Sequence, residues 1–265
     1  MARERSRTCQ QNTVMKIFRY LLLSLTILAS GCSTTPITGS KKLILISQEE
    51  EIKLGSNAYK EILSKERILN NQLAHEVEAI GKKIAAVSGR RDFHWEFKTI
   101  DNNVPNAFCL PGGKVVFHSG MAKIATTYDQ VAAVLGHEIG HALARHAGQR
   151  LTVQYGRDAI LGILSVTTLA ALKNRDKNLL FAALGIGTTI GIILPYSRDN
   201  ELEADEIGVV LMSRAGYDPR AALLLWKKMA KMEEGRSQLP FLSTHPSSVK
   251  RQERIRELLP QLQKN

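Results

Sequence analysis

Residues 136–146 read GHEIGHALARH, which sets three imidazoles and one carboxylate along a short stretch of chain. On an α-helix each residue advances about 100°, so His137 and His141 stand about 40° apart and one turn along. Two imidazoles at that spacing can reach one cation, and neutral imidazole is a favoured zinc ligand. Glu138 is turned about 100° from His137, beside such an ion rather than on it. A general base must stand there to take a proton from water held by the metal, whose pKa zinc lowers from about 16 toward 7. The neighbours Ala132, Ala133, Val134, Leu135, Gly136, Ile139, Gly140 and Ala142 are small or apolar, as expected for a buried catalytic helix rather than a solvated one.

A catalytic zinc keeps three protein ligands and one open position. On a continuous helix His146 falls about 140° around from His141, too far to share an ion. The extended motif in which a third histidine closes the site would need Gly and His where Ala144 and Ala147 stand. His146 therefore reads as a helix-end histidine near the C-terminal dipole, with a stop at Gly148. A better source of ligands is SRDNELEADEIGV, where Glu201 and Asp205 lie four apart on one helix face. One carboxylate could bind the ion while the other orients a ligand imidazole, the usual partner of a metal-bound histidine. Glu203 and Glu206 compete on composition, but Glu203 would point away from the side of Asp205.

The elements that must position these groups follow from periodicity. Ser47 caps a helix with acids in its first turn, and 71–89 forms a second helix with Leu73, Val77, Ile80, Ile84 and Val87 inward and Gly89 as its stop. His75 on that helix lies beside acids and reads as a surface histidine. HWEFKTIDN alternates as a strand, with Trp95, Phe97 and Thr99 on one face. NAFCLPGGKVVFHSGM reads strand, turn, strand. Thr127 and Gln130 form a capping box for the H-E-x-x-H helix. Helices then cover 197–214, 218–234 and 246–263. Two apolar runs split by a charged break occupy 159–194, each short of a bilayer span. They read as buried helices or as a surface dipping into a membrane interface, and 148–196 as a lid over the site. The expected fold is α+β and mainly helical, with a small sheet whose edge strand packs on the metal-binding helix.

Of the net charge of +11, residues 1–31 hold five basic residues against Glu4, which leaves 31 basic and 24 acidic residues, or +7. That excess is scattered and reads as a solvated surface. With no groove motif, RNP-type aromatic pattern or zinc-finger spacing, nucleic acid is not an expected partner. MKIFRYLLLSLTILASGC, beginning at Met15, has the charged start, apolar middle and small-residue exit of a secretory signal peptide. LASGC resembles a bacterial lipobox, which implies lipidation of Cys32. Ser33 after it implies an outer-membrane destination. The expected organisation is a signal peptide over 1–31 with Met15 as a possible start, a lipidated tether over 32–46, and one domain over 47–265. Cys109 is then alone, so no disulfide framework holds the domain.

Together HEIGHALARH, SRDNELEAD, NAFCLPGG and STHP at 243–246 resemble the zinc metallopeptidase family of HtpX and the CAAX prenyl endopeptidases. Within it they resemble the bacterial lipoprotein members, single-domain periplasmic gluzincins, over about 47–260. The resemblance implies His137, His141 and Glu201 as ligands of one zinc ion, Glu138 as base and Asp205 as partner of a ligand histidine. It also implies that Asn106, Ala107 and Phe108 pair with extended substrate backbone. His245 matches the family's late histidine, a candidate oxyanion stabiliser, although a cap for the last helix is an equal reading. The chain lacks the long membrane spans of HtpX and the C-terminal helical repeats of the related assembly-linked proteases. The expected function is a zinc endopeptidase tethered through Cys32 in a Gram-negative envelope, facing the periplasm. Its substrates would be misfolded or misassembled polypeptides, and outer-membrane assembly machinery a possible partner. Two alternatives stand beside it: a chaperone-like assembly factor with a structural or silent metal site, and a membrane-active module using 159–194.

Overall fold

The computed structural model describes residues 32–154, 196–234, 240–246 and 249–262. The expected signal peptide, the two apolar runs of 159–194 and most of the expected lid lie outside the described residues. The chain there folds as short strands β1 (Cys32–Thr34) and β2 (Lys41–Leu43), helices α1 (Gln48–Lys65) and α2 (Gln72–Ala86), and strands β3 (Glu96–Ile100), β4 (Ala107–Leu110) and β5 (Lys114–His118). After a 3-10 turn at Ser119–Lys123 come α3 (Tyr128–Leu143), α4 (Arg198–Arg214), α5 (Arg220–Glu234), α6 (Pro240–Thr244) and α7 (Val249–Leu262). Among the described residues, no helix is long and apolar enough to cross a membrane.

The helix starts obey their local chemistry. The side chains of Ser47, Asn71, Thr127 and Ser197 each accept a hydrogen bond from the backbone N–H three residues on, satisfying a donor that has no partner within the helix. At α3 the reciprocal bond is donated to Gln130 Oε1 by the backbone N–H of Thr126 rather than that of Thr127, one residue off the expected box. The period of α2 buries Val77, Ile80 and Ile84 against the sheet, where Phe97 of β3 meets it. Strand order is β3-β5-β4, with β5 parallel to β3 and antiparallel to β4. The glycine turn between β4 and β5 has φ +84 at both Gly112 and Gly113, which L side chains rarely adopt. β4 is left as the edge strand, packed on α3.

Residues 131–143 of α3 are buried on every face, so this helix is the centre of the molecule. It lies against α4 along a seam of small residues spaced four apart, Gly136 and Gly140 facing Ala204 and Gly208. A Cβ on Gly140 would sit 2.6 Å from the Ala204 carbonyl oxygen, so the two backbones touch. That seam aligns the residues next to it, His137 and His141 opposite Glu201 and Asp205. Gly140→Ala is expected to lose about 1–3 kcal/mol of stability through overpacking. That loss exceeds alanine's helix preference of about 1 kcal/mol. Urea unfolding reads it, and a variant as stable as the parent would show that the seam can open freely.

Two local readings change. The helix ends at Leu143, the chain turns at Ala144 and Arg145, and helix resumes over 146–154, so Gly148 lies inside a helix rather than stopping one. The last helix begins at Val249, after Pro246, and a short α6 precedes it. The polar run read as a tether contains the hairpin β1–β2, pairing Cys32 with Leu43 through Thr34 with Lys41. This hairpin reaches α4 through Glu203, described below.

Candidate metal centre

His137 and His141 project from α3 toward α4, and Glu201 comes from α4 to meet them. The Nε2 atoms of the two histidines are 3.1 Å apart. Glu201 Oε2 lies 3.4 Å from His137 Nε2, and Oε1 lies 3.3 Å from His141 Nε2. His245, after α6, brings Nδ1 to 3.2 Å from both His137 Nε2 and Glu201 Oε1. One donor atom from each of these four residues falls within a common 4.8 Å, and all four residues are buried. So many converging lone pairs, with too few protons to share, are what a cation satisfies. Imidazole nitrogens with one carboxylate oxygen are a zinc donor set.

Each ligand candidate has a partner behind it. Asp205 Oδ1 is 2.8 Å from His137 Nδ1, which fixes that proton on Nδ1 and turns Nε2 inward. Arg251 of α7, only 2% exposed, donates from Nε to Asp205 Oδ2 at 2.6 Å and from Nη2 to Oδ1 at 2.8 Å. Its Nη1 pairs with Glu201 Oε2 at 2.8 Å, and its guanidinium lies 3.8 Å above the Trp226 ring. One arginine therefore pairs with both α4 carboxylates. Tyr196 stacks on His141 with ring centroids 4.0 Å apart, and Phe241 on His245 at 4.5 Å, which restrict the rings.

The electrostatics follow. Burial alone would raise Asp205 and Glu201, but the charge of Arg251 and the nearby histidines overrides it and holds both below their ordinary values. Burial would lower His137, yet Asp205 and Glu201 hold it up at about 9. A cation at the centre would take over that positive charge and release the proton. Burial pushes His141 well down and His146 to about 4, so both are neutral near pH 7.

Glu138, one position beyond His137, is 2% exposed and its Oε1 has no hydrogen-bond partner among the described residues. Burial raises its pKa against the charges of His245 and His137 and the backbone N–H of Cys109. His245 Nε2 is 3.6 Å from its Oε1. The edge strand runs alongside. His118 N donates to Asn106 O and Gly113 N to Leu110 O, so residues 106, 108 and 110 turn their backbone groups toward β5. The outer edge belongs to Ala107 and Cys109. Of the three residues expected to pair with substrate, only Ala107 has its backbone there, and its N–H donates to Asn106 Oδ1 at 3.0 Å. This corrects the expectation for Asn106 and Phe108: alternation of the strand, which puts neighbours on opposite edges, decides it.

Sequence reasoning placed His137, Glu138, His141, Glu201 and Asp205 together, and the structure does so. The ring of His245 enters the same cluster rather than capping α7. His75 is exposed, as expected. His146 is fully buried and stands at the start of the next helix, after the turn at Ala144 and Arg145, rather than at the end of the first. Its Nδ1 is 2.8 Å from His141 Nδ1, and its Nε2 is 3.0 Å from Glu203 Oε2. Arg251 was missed because RQERIRE reads as a mixed, solvated face, and no local signal distinguishes its first arginine. Tyr196 was missed for the same reason, as an aromatic at the edge of an apolar run.

Comparison with known proteins bears on this geometry. Residues 71–259, well over half of the chain, match peptidase family M48. The mitochondrial metalloendopeptidase OMA1 of Schizosaccharomyces pombe is 38% identical over 234 residues, covering 86% of this chain and 66% of that protein. The human mitochondrial metalloendopeptidase OMA1 is 31% identical over 245 residues, covering 86% and 46%. The beta-barrel assembly-enhancing protease of Escherichia coli K12 is 28% identical over 223 residues, covering 82% and 45%. The chain thus spans just under two thirds of the first relative's length and under half of the other two. Given that match and the His-His-Glu-His cluster it frames, the chain belongs to peptidase family M48 and has a gluzincin-like metallopeptidase fold.

Proposed function

We propose that this protein is a zinc-dependent metalloendopeptidase in which His137, His141 and Glu201 hold the ion and Glu138 is the general base. The observation that carries the reading is the convergence of those three side chains, with a buried carboxylate oxygen one residue away that has no hydrogen-bond partner among the described residues. When bound, zinc supplies an electrophile for the scissile carbonyl and acidifies the attacking water. Glu138 takes the proton from that water and passes it to the departing amine. Its raised pKa suits both halves of that transfer. Asp205, itself clamped by Arg251, keeps His137 in the tautomer that faces the ion. The outer edge of β4 at Ala107 and Cys109 is positioned to hold an extended peptide backbone, displacing the Asn106 amide oxygen from Ala107 N–H. His245 stands where it can face the oxyanion of the tetrahedral intermediate.

The membrane and substrate reading extends this. Residues 1–31 act as a lipoprotein signal peptide, and acylated Cys32 tethers the 47–265 domain to the outer membrane, facing the periplasm. The protein then belongs to the bacterial lipoprotein branch of its family, and its substrates are misfolded or misassembled envelope proteins. Support comes from the lipobox-like LASGC and from the Escherichia coli relative, whose name ties it to beta-barrel assembly. Radiolabelled palmitate incorporation tests the anchor: label should enter the parent and not Cys32→Ala.

Chelation should abolish casein cleavage, and stoichiometric zinc should restore it. Metal analysis beside Glu201→Ala is the sharper check. Loss of bound zinc with loss of activity is expected, whereas full zinc and activity in that variant would remove Glu201 from the ligand set.

A further inference from the structure

One chain of buried and half-buried polar groups leads away from the metal centre. It starts at His141, passes His146 and Glu203, and ends on the N-terminal hairpin. Thr38 Oγ1 donates to Glu203 Oε1 at 2.7 Å, and Ser40 Oγ and Lys42 Nζ also donate to that carboxylate. These donors hold Glu203 as an anion, and a carboxylate can only accept. The proton between Glu203 and His146 therefore sits on His146 Nε2. Neutral imidazole then presents a lone pair at Nδ1, 2.8 Å from His141 Nδ1. Two nitrogens at that distance share a proton, so His141 Nδ1–H donates to His146. The lone pair of His141 is left on Nε2, facing His137 Nε2 and Glu201.

A second, independent set of contacts aims His146. Arg145 sits in the left-handed region, with φ 52, and this turns the chain back so that His146 meets His141. The turn is held by residues just beyond the hairpin. Glu51 accepts from Arg145 Nε at 2.8 Å and from Gly148 N at 3.0 Å, and Ile46 O accepts from Arg145 Nη2 at 3.0 Å.

The geometry points to a positioning relay: the N-terminal hairpin, through Glu203 and His146, fixes the tautomer and orientation in which His141 binds a metal. The relay rests on the reading of His141 as a ligand. His146 and Glu203 are then positioning residues, and the segment nearest the proposed membrane anchor completes the metal centre.

Zinc affinity of the full chain, measured by competition with a chromophoric chelator, tests the relay, together with the visible spectrum after cobalt(II) substitution. His146→Phe should weaken zinc binding by about 10–100-fold, as partners of ligand histidines do. Its cobalt spectrum should change. His146→Gln, whose amide can accept from His141 and donate to Glu203, should recover most of the affinity and the parent spectrum. The Ser40→Ala, Lys42→Ala double variant should lose on the order of threefold to tenfold. Parent-like affinity and spectrum in His146→Phe would overturn the relay, and equal losses in Phe and Gln would reduce His146 to a packing residue. No loss in the double variant would detach the hairpin from the relay. His141→Ala separates the two levels. If it keeps zinc, the ligand reading itself fails; if it loses zinc while His146→Phe does not, only the relay fails.

Discussion

Glu138→Gln will lower kcat/KM for peptide hydrolysis by about 10²–10⁴-fold, the range for removal of a general acid–base. In the barrier that is about 3–5 kcal/mol. The substitution is nearly isosteric, and its amide oxygen can still accept from the Cys109 backbone N–H. Nothing else in the site moves, because Glu138 bonds none of the ligand atoms: its nearest cluster neighbour is His245 Nε2 at 3.6 Å. Zinc content should therefore match the parent, and so should the melting temperature. This combination distinguishes a lost base from a lost metal, which Glu201→Ala should show instead. Cleavage retained above about a tenth of the parent rate would mean that another group takes the proton, and the proposed mechanism would fall.

Arg251→Met should have the largest effect on stability. The arginine is the buried counter-charge for Asp205 and Glu201, and breaking a buried pair by removing one partner costs about 3–5 kcal/mol. Methionine fills similar volume against Trp226, so the loss reports charge rather than a cavity. The pH dependence has a definite sign. Asp205 is held below its ordinary value in the folded state, so its contribution is present above an unfolded value of about 3.9 and disappears as pH falls through the folded value. Without Arg251 that depression is relieved, and the deficit should be fullest at neutral pH and shrink below about pH 4. Denaturant unfolding of the metal-free protein across that range measures it. A deficit under about 1 kcal/mol at pH 7, or one that grows in acid, would contradict the assignment.

How far the sequence announced this site depends on how local each signal is. His137, Glu138 and His141 are set by the helix alone, and the four-residue spacing of Glu201 and Asp205 survives because α4 is regular. The edge strand was legible from its turn, but its register was not. Which residues face outward depends on pairing with β5, and of the expected Asn106, Ala107 and Phe108 only Ala107 lies on the outer edge, with Cys109 beside it. His146 shows a different limit. The reading of His146 as a helix-end histidine before a stop at Gly148 used a continuous helix, and it fails because Arg145 breaks the helix in a conformation that arginine does not advertise. Glu203 was set aside because it points away from Asp205. It does, and that direction is what brings it to His146. Arg251 and the hairpin donors act across 46 and about 160 positions of sequence, where no periodicity carries information.

Those separations also fix the order in which the molecule becomes an enzyme. The groups that assemble the centre lie in the hairpin, in α3 and the turn after it, in α4, and at the start of the last helix. Contacts of such range form late, because loop closure must precede any gain from them. Asp205 and Glu201 acquire their counter-charge only when α7, the last of the described helices, docks. A chain in which α3 and α4 have formed but α7 has not docked has the H-E-x-x-H helix but not the clamp that organises its partners. Assembly of the centre is thereby deferred until the α7 segment has been made and has docked.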